Sequence, residues 1–424
     1  MRSARAWREK LRSPVVRNAA YLIATEAVGG VLGLAFWAVA ARSFPDADVG
    51  VGAVLVTSAT LLALLSTLGF NVGLIRFLPE RSAPPARLIN SSVTIGVAVS
   101  VALGVGFALG AGRGIPVLWF LGSEPALLVL FVLFCAVWTM SLLFDASFVG
   151  LGDARPVFLR AVVYNALKIP LPLALVLALR PSFALFAAWG VGLLVANALA
   201  VVLLFRRVVP SFRLRPDLDR TSVGPMVRFS FQNHVTNVLG AVPGLVFPLL
   251  VANVLLPEDA AYFYVAWVLA NFLFLVPGSI FTSVFAEGSR WLPGLRGNAV
   301  DGLFLSIAIL VPGVAAVWIA GPWVLAALKP SFLVAVPALN VLAASAFFVA
   351  VNVLYVTVLR VRKRMRPVIA IYAGTTLGAL VLSVPLMPRI QLLGVALAFA
   401  IAHGACAVYS AWAMLREGVL RKPA

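Results

Sequence analysis

The sequence predicts an all-α polytopic membrane protein, with about twelve transmembrane helices in two six-helix lobes related by a parallel internal repeat. Three observations predict it. Of the 424 residues, 62% are hydrophobic and only 11% charged, more apolar surface than a soluble fold of this length can hide. The apolar residues form continuous runs between short charged loops, and each run reaches the roughly 20 residues that cross a bilayer core. Continuous runs indicate helices, where a membrane barrel would alternate. Finally, one stretch occurs twice. RNAAYLIATEAVGGVLGLAF at 17–36 aligns without a gap on RFSFQNHVTNVLGAVPGLVF at 228–247. Arg17 falls on Arg228, Thr25 on Thr236, Glu26 on Asn237, Gly29 on Gly240, Gly33 on Gly244 and Phe36 on Phe247. The same offset of 211 residues places Arg155-Pro156 on Arg366-Pro367. Two matches in one frame, far apart, indicate an internal duplication.

Taken in order, the expected spans are 17–41, 50–73, 89–111, 125–149, 156–179 and 183–205, then 228–255, 260–286, 299–321, 332–359, 367–387 and 391–415. A basic tail at 1–16 precedes them and a short tail at 416–424 follows. The polar linker at 206–227 separates an N-terminal lobe, 17–205, from a C-terminal lobe, 228–415. Orientation follows from Lys and Arg. With the N-terminus inside, inner segments hold 27 of the 33 basic residues, Arg155 and Arg160 among them. Outer loops hold five, and Lys168 alone lies within a span. Both termini and the linker are therefore expected in the cytoplasm. Six spans per half make the two copies point the same way.

The +18 net charge is thus a topology signal, suited to resting inner loops against anionic lipid rather than to binding nucleic acid. Cys135 and Cys406 lie in apolar runs and form no disulfide or metal pattern. Ala38-Val39-Ala40 has the small-residue pattern of a cleavage site, but the apolar stretch before it is too long for a signal peptide. Asp46-Ala-Asp48 and Asp217-Leu-Asp219 have the form of metal-binding carboxylate pairs, yet they sit in a turn and in the linker. No phosphate-binding Gly-rich loop, Ser/His/Asp set or metal-ligand cluster is present in the sequence, so no catalytic site, metal or cofactor is expected.

The informative residues are polar ones at membrane depth. An ionisable group there costs about 3 kcal/mol or more, so it faces protein or a watery cavity. Glu26 lies nine residues past Arg17, about 13 Å along the helix. Lys168 lies twelve residues into the fifth span, about 18 Å by the same rise. Asp145 is near the inner end of the fourth. Gln232, Asn233, His234 and Asn237 form a polar run in the seventh. Glu26, Lys168 and Asp145 are the expected ion-coupling or cavity residues, and whether Glu26 meets Lys168 is open. Asn165, Asn197, Asn271, Asn340, Asn352 and His403 suit hydrogen bonds between helices. Prolines within spans, Pro170, Pro172, Pro243, Pro248, Pro277, Pro312 and Pro337, offer kinks.

Two local patterns resemble a known family. The first span ends in Ala41-Arg42 with Pro45-Asp46 and Gly50 following, and the second closes on Gly69-Phe70 through Arg76-Phe77-Leu78-Pro79-Glu80. These resemble the polysaccharide-export (O-antigen and teichoic acid) flippases of the MOP superfamily, relatives of the MATE transporters. The resemblance implies a MATE-like fold and a transporter in the cell membrane. Such a protein moves a polyprenyl-diphosphate-linked oligosaccharide from the inner to the outer leaflet by alternating access. Its partners would be the lipid-linked oligosaccharide, membrane lipids and polysaccharide-assembly enzymes. On this reading Arg17, Arg76 and Arg228 receive the diphosphate, and His234 and Asn237 complete the substrate-binding set. The alternative is a MATE-type proton- or sodium-coupled antiporter of drugs or metabolites, with Glu26 as its carboxylate. A membrane glycosyltransferase or polymerase would need a large outer loop, and every outer loop here is short.

Overall fold

A computed structural model describes residues 14–80, 84–210, 212–290 and 294–418. Most of both terminal tails, at 1–13 and 419–424, therefore falls outside the described residues. The principal helices are α1 (Pro14–Ser43), α2 (Asp46–Ser66), α3 (Phe70–Glu80), α4 (Pro85–Gly114), α5 (Pro125–Gly150), α6 (Arg155–Lys168) and α7 (Pro181–Leu199). They continue as α8 (Arg220–Val254), α9 (Pro257–Arg290), α10 (Leu295–Leu328), α11 (Val336–Val361) and α12 (Met365–Arg416). Among the described residues no strand occurs. Proline starts many of these helices: Pro85, Pro125, Pro156, Pro181 and Pro337 occupy the first or second position. Its missing N–H is one that a helix start leaves unpaired in any case.

Among the described residues ten segments are long and apolar enough to cross a membrane, and two departures account for the difference from twelve. The fifth expected span is not one helix. α6 stops at Lys168, the chain turns at 169–170, and a short helix, Leu171–Leu175, follows. Pro170 and Pro172 each remove a backbone donor there. The eleventh and twelfth spans run together as α12, whose 52 residues contain non-helical backbone at Ile390 and Gln391 (φ +52°). A Cβ at Gly394 would lie 2.6 Å from the Leu386 carbonyl carbon, so the two halves fold back there with no room for a side chain. The second span also ends earlier than expected. α2 stops at Ser66, and left-handed backbone at Leu68 (φ +48°) and Gly69 (φ +82°) redirects the chain into α3.

The duplication is visible in the backbone. The turn between α5 and α6 uses Gly152 at φ +80°, and the turn between α11 and α12 uses Lys363 at φ +58°. These two left-handed residues are separated by the offset of 211.

The chain divides into two units, Met1–His234 and Val235–Ala424. The first includes the linker and the start of α8, and the reason is local. Phe212 of the linker is 2% exposed and stacks on Phe205 at 4.3 Å between centroids. Asn90 Nδ2 donates to the Arg213 carbonyl (2.9 Å), the Asp217 N–H to Thr94 Oγ1 (3.1 Å) and the Asp219 N–H to Ser91 Oγ (3.0 Å). One face of α4 thus straps the linker down. Next, Met226, Ser230 and His234, spaced four apart on α8, pack on the glycines of the α2–α3 break. A Cβ at Gly73 would sit 2.2 Å from Met226 Cγ, and one at Gly69 would sit 2.9 Å from Ser230 Cβ. This is a ridge of larger side chains in a small-residue groove. In the second unit α11 is the central element. Leu354, Tyr355 and Val358 pack with Phe281 and Val368, while Ala343, Ala346 and Ala350 pack with Leu310.

Candidate functional site

Each unit encloses a cavity of its own. The cavity of the first unit measures about 300 Å³ and is bounded by α1, α5, α6 and α7. Glu26, Asp145, Arg160, Tyr164 and Trp189 line it. Asn18 at the start of α1 fixes one end of this arrangement, donating to the Gly152 carbonyl (2.7 Å) and accepting from the Ala154 N–H (3.3 Å). Tyr21 meets Phe158 one helical turn further on, at 5.9 Å between centroids.

The polar centre of this cavity is Arg160, which the charge count assigned to an inner segment. Arg160 is 2% exposed, and its head group lies inside the bundle. The guanidinium has five N–H donors, and all five are used. Nε reaches the Ala196 carbonyl (3.4 Å), Nη1 the Ser141 carbonyl (3.5 Å) and the Asp145 carboxylate, Nη2 Ser141 Oγ (2.7 Å) and Asn197 Oδ1 (2.5 Å). Asn197 is itself held by the Val137 carbonyl (2.8 Å). Arg160 therefore has no donor left for a ligand. It holds Asp145, whose side chain is 39% exposed and whose second oxygen stays open to the cavity. Glu26 is exposed along the same cavity and makes no ion pair or hydrogen bond among the described residues.

Lys168 does not meet Glu26 in an ion pair. Its side chain is 2% exposed, and its ammonium lies over three rings: Trp189 at 4.0 Å, Tyr164 at 4.8 Å and Phe36 at 5.8 Å. Trp189 is braced in turn by Trp138, stacked at 5.5 Å. Ring faces are negative and attract a cation. Lys168 also ends α6, where the helix dipole favours positive charge.

The other expected residues are spread over the first unit and the start of the second. Arg17 is exposed at the start of α1. Arg76 is half exposed on α3, stacks on Phe229 at 4.2 Å and pairs loosely with Glu80 at 3.8 Å. The Arg228 side chain lies outside the described residues. His234 is 8% exposed, hydrogen-bonds to the backbone of Leu65, and leaves Nδ1 buried without a partner. It sits on the α2–α3 break. Asn237 is exposed. The carboxylate pairs have local partners: Asp48 accepts from the Ser182 N–H at the start of α7 (3.2 Å), and Asp217 and Asp219 belong to the strapped linker. Among the described residues no group of three His, Cys, Asp or Glu side chains could hold a metal ion.

The second unit has a cavity of about 170 Å³ formed by α8, α9, α11 and α12. About half of its lining corresponds, by repeat position, to that of the first. At the offset of 211, Gly29, Trp138, Ser141, Asp145, Arg160 and Tyr164 become Gly240, Val349, Asn352, Val356, Ile371 and Thr375, and all twelve residues line their cavities. The ion pair at the centre of the first cavity is thus an apolar pair, Val356 and Ile371, in the second. The second is walled instead by the rings of Trp267, Phe274, Tyr372, Phe399 and His403. Sequence reading singled out Asn271, Asn352 and His403 as helix-bridging groups. Asn352 does bridge, donating to the His403 carbonyl (2.9 Å) and accepting from Ser410 Oγ (3.0 Å).

The family model for polysaccharide biosynthesis proteins matches residues 15–286. Among curated proteins nothing matches the sequence. Solved structures share the fold at low identity. An inward-facing multidrug-resistance MATE transporter of the MOP superfamily superposes with a TM-score of 0.71 at 13% identity, over 95% of this chain and 99% of that one. The lipid II flippase MurJ, in an inward closed conformation, gives 0.75 at 14% identity over 93% and 87%. A MOP superfamily transporter from Pyrococcus furiosus gives 0.63 at 15% identity over 97% and 96%. The MATE-like fold expected from the sequence is the one observed.

Proposed function

Because the chain belongs to the polysaccharide biosynthesis protein family, we propose that it is a flippase for a polyprenyl-diphosphate-linked oligosaccharide. The observation that carries this reading is the family match over 15–286, on a fold shared with MOP superfamily transporters. Sugar and diphosphate cannot enter hydrocarbon unaided, so the protein must give the head group a polar route while the prenyl chain stays in lipid. The protein sits in the cell membrane with both termini in the cytoplasm, moves its substrate outward by alternating access, and works beside the enzymes that build and polymerise the oligosaccharide. It carries out no covalent chemistry. The diphosphate is received by Arg17, Arg76 and Arg228. Arg76 supports this, since its guanidinium is held over Phe229 while half of its side chain remains open.

A MATE-type antiporter of cationic drugs has one observation in its favour, the uncommitted Glu26 carboxylate in the first cavity. Asp145 is held by Arg160, which leaves Glu26 as a single open carboxylate for a cation in that cavity.

Vesicles containing the purified protein and a fluorescent polyprenyl diphosphate oligosaccharide test the proposal, with leaflet residence read by an impermeant quencher. Wild type should equilibrate the lipid between leaflets. Arg→Ala at 17, 76 or 228 should abolish movement, and Arg→Lys should rescue it in part, because charge survives but bidentate geometry does not. Lipid that stays in its leaflet, with an organic cation expelled along a proton or sodium gradient, would establish the antiporter instead. Orientation is tested by Leu218→Cys on the linker, where Leu218 is 67% exposed. It should resist an impermeant thiol reagent in intact cells and react after permeabilisation.

A further inference from the structure

We propose that the cavity of the second unit is a carbohydrate site that takes a neutral sugar ring of the substrate head group. This rests on the flippase reading and adds to it a place for the sugar. Three features of the cavity carry it. It is walled by aromatic rings, including Trp267, Phe274, Tyr372 and Phe399. Among the described residues its lining has no Asp, Glu, Lys or Arg. And it presents neutral polar groups that the protein leaves uncommitted. Trp267, Asn271 and Tyr372 line the cavity, and their polar side-chain atoms make no hydrogen bond among the described residues. His403 Nδ1 is buried without a partner, while its ring lies 4.2 Å from that of Phe399.

Each alternative ligand class leaves one of these features unanswered. A prenyl or acyl chain would fill the aromatic space but leave four polar groups unpaired, each at the cost of a buried unsatisfied group. A phosphate would find no cation in the lining, and a drug cation no carboxylate. A sugar ring answers all of them, with C–H faces to lay on the rings and hydroxyls that both donate and accept. The first cavity differs in charge: the five donors of Arg160 and the amides of Asn197 and Asn165 are spent within the protein, while Glu26 and the buried Trp189 Nε1 are left without a partner among the described residues. A cation also stands beside one of the lining rings. The Arg360 guanidinium lies 5.8 Å from the Tyr372 ring; its Nη2 donates to Thr236 Oγ1 (3.5 Å), while its buried Nε has no partner and is left for a phosphate linked to the bound sugar.

The test is photolabelling of the full-length protein in vesicles. The probe is a polyprenyl diphosphate N-acetylhexosamine with a diazirine on the acetyl group. The label is expected within 240–243, 267–274, 349–356, 371–375 or 399–403. Trp267→Phe and His403→Phe keep the rings but remove N–H or N, and each should lower labelling at least fivefold. A label confined to other segments, or no label in wild type, overturns the proposal. So does labelling of these segments by a probe with the diazirine on the last isoprene unit when the sugar probe misses them. If a variant fails to fold, the wild-type labelling pattern still decides. Failure of the flippase reading is distinguishable: wild type would then label in the cavity without moving lipid between leaflets.

Discussion

The two cavities begin from one ancestral set of positions and end as opposites. In the first unit the hairpin of α5 and α6 carries Asp145 facing Arg160. In the second unit the same two positions are Val356 and Ile371. The first cavity has charges that are mostly answered from within the protein. The second has no charged side chain in its described lining, and several of its polar groups make no hydrogen bond among the described residues. Duplication supplied two equal frames, and a few substitutions separated a self-contained ionic centre from an open neutral one. The difference shows where rigidity and where recognition are to be sought.

The largest effect should come from breaking the ionic centre. Arg160→Met leaves Asp145, Ser141 and Asn197 without their shared donor, and removing one partner of a buried pair costs about 3 kcal/mol or more. Thermal unfolding of the purified protein should show a correspondingly lower midpoint. Importing the second unit's solution, Asp145→Val with Arg160→Ile, should recover at least half of the loss. A double variant no better than Arg160→Met would mean that the two frames are not interchangeable.

A smaller loss is expected at the break between α2 and α3, which the second unit lacks: at the offset of 211, Gly69 becomes Ile280 inside the uninterrupted α9. Gly69→Ala meets both a left-handed backbone and Ser230 at 2.9 Å, together worth about 1–3 kcal/mol. Unchanged stability would show that α8 can retreat from the groove.

Transport should separate the repeat-related pair Glu26 and Asn237. Glu26→Gln keeps shape but removes charge, and is expected to slow lipid movement about tenfold, or about 1.4 kcal/mol, and to abolish any dependence on pH or an ion gradient. Asn237→Ala should slow transport less and leave that dependence in place. Wild-type behaviour of Glu26→Gln would reduce Glu26 to a cavity-lining acid without a coupling role.

The smallest effect lies at another repeat pair. A Cβ at Gly29 meets nothing within 4 Å, whereas one at Gly240 meets Tyr372 at 3.3 Å. Gly29→Ala should stabilise by about 0.5–1 kcal/mol through helix propensity, and Gly240→Ala by less. Equal gains would mean that Tyr372 moves freely in the second cavity.

Much of this was legible in the chain itself. Apolar runs and loop charges carry span number because bilayer thickness is a one-dimensional constraint. Breaks within spans are not set that way. Pro170 and Pro172 were visible as kink residues, yet only packing shows that they end α6, and Gly69 reads as an ordinary helix glycine until Ser230 is placed against it. For the first cavity, Glu26 and Asp145 stood out as acids at depth. Arg160 did not, because counting by segment put it with the loop. A signal was available: Asp145 and Arg160 lie equally far from the midpoint of the turn at Gly152, so antiparallel helices bring them level. Asn271 and His403 gave no comparable signal. Neutral groups carry no partner of opposite sign to search for, and their significance comes from the rings of Trp267, Tyr372 and Phe399, brought in from α9 and the two halves of α12.

The strapped linker and the start of α8 have a consequence for synthesis. As the chain leaves the ribosome, the last residue of the first lobe's sixth span, Phe205, emerges 29 residues before His234. At ordinary translation rates that is an interval of about 1.5–6 s. During it the glycine face at 69 and 73 has no cover, and the sites at Asn90, Ser91 and Thr94 have nothing to hold. The first lobe is therefore inserted before it is finished, and the piece that finishes it is the leading turns of the helix that begins the second. Slow codons between 206 and 234 would lengthen that open interval, and the membrane chaperones that attend nascent helices would find their substrate there.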